Sequence, residues 1–182
     1  MRTSAGLLGA LHLARGRADG IAGMPHDPAG VARSFWAAGI CLPAFLALRL
    51  MDWETGGLSA RPVHALALIL IAYVANWAGF ALLSHRVCQA WGQGARWPLF
   101  IAAWNWCSVV QYLLLVAARI PVLFGAPDWL GETAALVAAG WALWLEWYAG
   151  RLTLGSPLTA TVLVILDVVL GEALTALSVG LF

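Results

Sequence analysis

Apolar residues fill five long stretches of the chain, and polar ones gather between them. The stretches run over 31–51, 63–84, 97–118, 130–149 and 158–182. Each is close to the roughly 20 residues that a helix needs to cross a hydrocarbon core of about 30 Å. The pattern predicts an all-α fold, a polytopic transmembrane helical bundle of about five spans occupying 28–182. The fourth span is the weakest, because Glu132 and Glu146 sit near its two ends.

Helix boundary signals agree with these limits. Asp27-Pro28 reads as an N-cap followed by proline at the first helical position, and Ser156-Pro157 repeats the arrangement before the fifth span. Trp97-Pro98 opens the third span and Pro121 follows its end. Pro43 lies inside the first, where its ring removes the bond to the Gly39 carbonyl and should kink the helix. Residues 1–27 form a cytoplasmic N-terminal segment. Within it Leu7, Leu8 and Leu11 share one helical face while His12 and Arg15 lie on another, which predicts a short interfacial helix followed by a turn-rich linker over 20–28.

Composition strengthens the membrane reading. Charged residues make up 10% of the 182-residue chain and hydrophobic ones 62%, against roughly 25% charged in an ordinary soluble domain. Mean hydropathy is +0.83. So few charges could not cover a bundle of this size in water. A net charge of +1 gives no general attraction to nucleic acid. Cys41, Cys88 and Cys107 make no CxxC pair and imply no disulfide framework. The apolar run 5–13 is short and is followed by arginines, so no secretory signal peptide is expected.

All ten basic residues are arginine, and they are placed unevenly. With a cytoplasmic N-terminus, Arg2, Arg15, Arg17, Arg33, Arg86, Arg96 and Arg151 fall inside, and only Arg49, Arg61 and Arg119 fall outside. The positive-inside rule then favours a cytoplasmic N-terminus and, with five spans, an external C-terminus, which in a bacterial inner membrane is the periplasmic side. Of the eleven tryptophans, Trp36, Trp53, Trp91, Trp97, Trp129 and Trp147 fall near span ends, as an aromatic belt requires. Trp77, Trp104, Trp106, Trp141 and Trp144 lie deeper. They read as packing residues, and their spacing requires no pigment or quinone.

Polar side chains at membrane depth each ask for a partner or a role. At 1.5 Å per residue, Asn76, Asn105 and Asp167 lie roughly 12–14 Å from the cytoplasmic ends of their spans, and Gln111 and Glu172 about 21 Å. Two polar layers are therefore expected, Asn76/Asn105/Asp167 and Gln111/Glu172. Interhelical hydrogen bonds are the simplest use for them. A proton relay through Asp167 and Glu172 is the alternative, although five residues turn the two carboxyls about 140° apart on an ideal helix. Glu146 and Arg151, like Arg119 and Glu132, can pair at the span ends. No P-loop, GxGxxG, GxSxG or HExxH motif occurs. His85 and Cys88 alone do not define a metal site. No catalytic residue, cofactor or metal is expected.

The chain resembles a group of small bacterial membrane proteins loosely called Yip1-like. The likeness rests on Arg33-Ser34-Phe35-Trp36, on Tyr73 through Trp77, on the run from Trp104 to Gln111, on Glu146-Trp147-Tyr148 and on Ile165-Leu166-Asp167. It implies the five-span fold and brings no catalytic residues. Yip1 proteins proper serve vesicle traffic with small-GTPase partners, and no motif for that role is matched here. The resulting expectation is a non-enzymatic membrane protein, surrounded by lipid and acting as an accessory, assembly or scaffold protein through a partner subunit or a homo-oligomer. The alternative is a small proton-coupled transporter using Asp167 with Asn105 and Asn76.

Overall fold

The computed structural model describes residues 3–56 and 62–180. Arg2, Arg61, Phe182 and the side chain of Trp53 lie outside the described residues. Among those described there are seven α-helices and no strand: α1 (Thr3–Ala14), α2 (Pro28–Ser34), α3 (Trp36–Gly56), α4 (Pro62–Ala90), α5 (Trp97–Leu123), α6 (Asp128–Leu154) and α7 (Pro157–Gly180). Short 3-10 turns cover Ala18–Gly23 and Gly94–Arg96.

Four stretches are long and apolar enough to cross a membrane: Pro28–Met51, Pro62–Ala90, Gly94–Leu123 and Pro157–Ser178. The fifth expected span falls on α6, whose 27 residues give it the length but whose Asp128, Glu132, Glu146 and Arg151 dilute its apolar character. Exposed apolar side chains run from Val63 to Leu83 on α4 and from Leu158 to Leu177 on α7. Those belts are about 30 Å long, the thickness of a hydrocarbon core. The chain is a multi-pass helical membrane protein.

The bundle is organised around α5. Ten consecutive residues, Phe100 to Val109, are buried there, so that half of the helix must be walled in on every side. The walls are α6, α3, α1 and α2, while α7 joins α6 to α4. The N-terminal helix expected from the sequence is present, but it buries a different face. Gly6, Gly9, Ala10 and Leu13 point inward while Leu8 is exposed. At Gly6 a Cβ would fall on the Trp106 indole, and at Gly9 it would lie 2.6 Å from the Gly20 carbonyl oxygen. Glycine at these positions lets α1 lie backbone-close against its neighbours. The leucines dominate a hydrophobicity pattern, but the small residues set the contact.

The ends of the helices obey the expected chemistry with some shifts. The first span is split, with α2 stopping at Ser34 and α3 starting at Trp36. Ser34 turns its hydroxyl onto the Val31 carbonyl at 2.7 Å. Helix α3 passes through Pro43 without a break, and the neighbouring Ala38 carbonyl accepts a 2.7 Å hydrogen bond from the Tyr73 hydroxyl. Helix α5 likewise runs past Pro121 to Leu123. Ser156 caps α7 through the Thr159 amide at 3.2 Å. Arg96 donates to the Leu154 carbonyl at 2.6 Å. It thereby caps the C-terminus of α6 and ties it to the start of α5.

Asp27 caps α2 as expected, its Oδ1 accepting from the Gly30 amide at 2.8 Å. That bond holds the exposed carboxyl below its ordinary range. A carboxyl lowered on folding adds stability above its unfolded value of about 3.9 and loses it as pH falls through the lower folded value. Amide exchange at Gly30, corrected for intrinsic rates, should therefore hold steady from about pH 8 to about pH 5 and rise only below about pH 4. Loss of protection already near neutral pH would show that the cap does not depend on this carboxylate.

Candidate functional site

Small residues bring α4 and α7 together. A Cβ at Gly79 would lie 3.3 Å from Leu170, and one at Gly171 would lie 3.8 Å from Asn76 Oδ1. This approach sets the Asn76 side chain against the Asp167 carboxyl. Helix α3 stands off from the pair because it packs chiefly on α5. It reaches α4 through the Tyr73–Ala38 bond and through Phe45, whose ring centroid is 4.5 Å from that of Tyr73.

The space between α3 and the α4/α7 pair is a crevice of about 440 Å³. Asp167, Gly171, Leu174, Thr175 and Ser178 line it as one helical stripe, with Val168 and Glu172 on its flank. Asn76, Tyr73, Tyr112 and Phe45 come from the other helices, and Arg49 closes one end. Arg49 donates to the Thr175 hydroxyl at 3.3 Å, with its guanidinium carbon 5.4 Å from the Phe45 ring centroid. Both Asp167 Oδ1 and Asn76 Oδ1 are buried without a hydrogen-bond donor. An acceptor left bare away from water costs free energy, so a crevice that presents two of them asks for a donor or a cation.

The expected polar layers are only partly realised. Asn76 and Asp167 do meet. Asn105 instead donates to the Ser34 hydroxyl at 2.7 Å, on the far side of α5. Gln111 donates to the Ala142 carbonyl at 2.7 Å, away from Glu172. Glu172 is exposed on the crevice flank. The crevice is broad enough to be lined by both Asp167 and Glu172 despite their divergent directions on α7.

Glu146 is the residue that sequence reasoning misplaced. Its expected partner Arg151 lies over the Trp147 ring, 5.5 Å from the centroid. Glu146 turns inward, buried, beside Trp104 and Cys107 and within electrostatic reach of Asp167. Its Oε1 also meets no donor. A fourth span over 130–149 sets Glu146 near a membrane face. The helix continues to Leu154, so Glu146 is eight residues inside it, about 12 Å. Asp167 is ten residues past Pro157, about 15 Å. Similar distance from a tight turn is the available signal, since an antiparallel hairpin brings residues of similar depth to one level.

Deep tryptophans form the wall behind these carboxyls. Trp104 lies 4.9 Å from Trp77 and 4.4 Å from Phe80, centroid to centroid. Trp36, Trp91 and Trp129 are exposed at helix ends, as a belt predicts. A second cavity of about 310 Å³ shares Phe45, Arg49 and Tyr112 with the first and is also lined by Arg119. His85 packs edge-on against Trp97 at 4.8 Å, while Cys88 is fully buried. No protein-family model matches this chain, and no curated protein or solved structure matches it either.

Proposed function

We propose that this protein is a small proton-coupled carrier of the bacterial inner membrane, with Asp167 taking up and releasing the coupling proton. The observation that carries this reading is the crevice itself, in which buried oxygens of Asp167 and Asn76 lack donors beside space for a solute. Glu146 adds a second carboxyl behind Asp167. Two such groups repel when both are ionised in a low-dielectric interior, so a proton on either relieves the other. A crevice with room for a solute, beside a carboxyl that can be neutralised, is the minimum equipment for coupling solute binding to protonation.

The test is reconstitution into liposomes loaded with a pH-sensitive dye, followed by imposed gradients of amines, amino acids, organic acids and metal cations. At least one class should drive proton movement in the wild type. Asp167→Asn, purified as a folded protein, should lower that movement by more than about tenfold, as loss of the proton acceptor beside Asn76 in a coupled step demands. Unchanged flux in that variant overturns the reading.

Arginine placement supports a cytoplasmic N-terminus and, with α6 as a spanning helix, a periplasmic C-terminus. Alkaline phosphatase fused after Phe182 should be active. An inactive phosphatase fusion together with a fluorescent cytoplasmic reporter at the same position would reverse that orientation.

An accessory role is the second reading, and Glu172 favours it. This carboxyl is exposed about 22 Å along a spanning helix, where a partner subunit or second copy could satisfy it. Purification in native lipid discs with mass measurement decides. A stoichiometric partner covering Glu172 supports the accessory role, and a monomer with Asp167-dependent flux removes it.

A further inference from the structure

The crevice carries information about what it holds, because one occupant is already visible. The Arg49 guanidinium lies over the Phe45 ring and bonds Thr175. This wall therefore accepts a planar cation from the protein's own chain. Phe45, Tyr73 and Tyr112 present three aromatic rings to the same space, with Phe45 and Tyr112 edge-to-face at 6.4 Å. Aromatic faces attract ammonium and guanidinium groups and give no such attraction to anions.

Charge points in the same direction. The described side chains lining the crevice include one guanidinium, Arg49, and two carboxyls, Asp167 and Glu172. With both carboxyls ionised, one negative charge is left over. Asp167 Oδ1 and Asn76 Oδ1 are acceptors without donors, and an organic cation bearing N–H groups supplies donors and charge together. An anion would meet two bare acceptors and a carboxylate. A purely apolar ligand would leave those acceptors bare. The volume of about 440 Å³ lies at the small end of ligand pockets, which suits a compact solute.

We propose that the crevice binds a small organic monocation, an amine or guanidine, seated against Phe45, Tyr73 and Tyr112 with its N–H groups on Asp167 and Asn76, in competition with the Arg49 side chain. This deepens the carrier reading and rests on it for the location of the site. Arg49 holds part of the site when the ligand is absent and shifts along the Thr175 edge when it enters. Glu172, on the exposed flank, draws the cation toward the crevice from outside.

The test is calorimetric titration of the full-length protein in lipid discs at fixed ionic strength, using methylguanidinium chloride, its neutral isostere methylurea, and sodium acetate. Methylguanidinium should bind, and methylurea and acetate should not. Asp167→Asn should weaken methylguanidinium binding by about tenfold, the factor that one lost charge-assisted contact of about 1.4 kcal/mol represents. Glu172→Gln, which removes an exposed attracting charge and no direct contact, should weaken it by about two- to fivefold. Glu172 is exposed, so its variant reports on binding even if the Asp167 variant fails to fold. Methylurea binding as tightly as methylguanidinium, acetate binding in preference to it, or unchanged affinity in Glu172→Gln overturns the monocation assignment. So does absence of methylguanidinium binding in a protein that still shows Asp167-dependent proton movement, and in that case the carrier reading survives. Selective methylguanidinium binding without any proton movement in liposomes supports the assignment and overturns the carrier reading instead.

Discussion

Trp104→Ala should destabilise the bundle by about 3–5 kcal/mol, the range for emptying an aromatic from a packed core. The indole is 5% exposed and lies in the buried half of α5. Its ring touches Trp77 and Phe80 at centroid distances of 4.9 and 4.4 Å, and its nitrogen side faces Glu146. Within lipid, the loss is mainly of dispersion contacts, since the tails are as apolar as the core. The alanine variant would also leave Glu146 facing a void. Unfolding titration in mixed micelles reads the change directly, with Trp104→Phe as the smaller-cavity control at about 1–2 kcal/mol. A Trp104→Ala cost under about 1 kcal/mol would mean that the aromatic column is not what holds α4 against α5.

How much of this was legible beforehand depends on the kind of signal each residue gives. The five helical segments were plain, because a run of apolar residues about 20 long is a strong and local pattern. The Asp27 and Ser156 caps were plain for the same reason, a residue type fixed at one position before a proline. The pairing of Asn76 with Asp167 followed from depth alone, since α4 and α7 happen to be neighbours. Asn105 has the same depth and found Ser34, because rotation about α5 points it away from α7. Depth is readable from a sequence and rotation is not. The error at Glu146 was of another sort: a span limit set by average bilayer thickness cut the helix five residues short.

The crevice residues to which the sequence assigns no place in a site are Phe45, Arg49, Tyr73, Tyr112 and Thr175. Taken singly, each is an ordinary member of an apolar helix or its end. They acquire meaning only through the standing-off of α3, which is a property of how α1, α2 and α3 share the surface of α5. The N-terminal segment is joined to the candidate site through α5, on which α1, α2 and α3 all pack. By occupying one side of α5 it limits the surface left to α3, the helix that stands in front of Asp167.

Gly20→Ala tests that dependence and should have the second-largest effect. A Cβ there would overlap the Gly9 carbonyl oxygen and lie 3.0 Å from both His12 Cβ and Leu13 Cγ. Backbone cannot step aside as a side chain can, so the α1 contact with the 3-10 turn must open. Overpacking of this kind costs about 1–3 kcal/mol. The residue has ordinary negative φ, so the cost is steric and no backbone strain is added. Arg15 and Arg17 are exposed already, but a protease needs the backbone around them to open. Once α1 loosens, that opening is more frequent, and trypsin should cut there about ten times faster or more, since about 1.4 kcal/mol is a factor of ten in the open population. Leu8→Ala, at an exposed position on the opposite face of α1, should leave the rate within about twofold, as surface changes near 0.5 kcal/mol do. Equal protection in Gly20→Ala and wild type would show that the N-terminal segment is held by other contacts. Faster cutting accompanied by lost Asp167-dependent flux would show that the wall around α5 sets the geometry of the crevice.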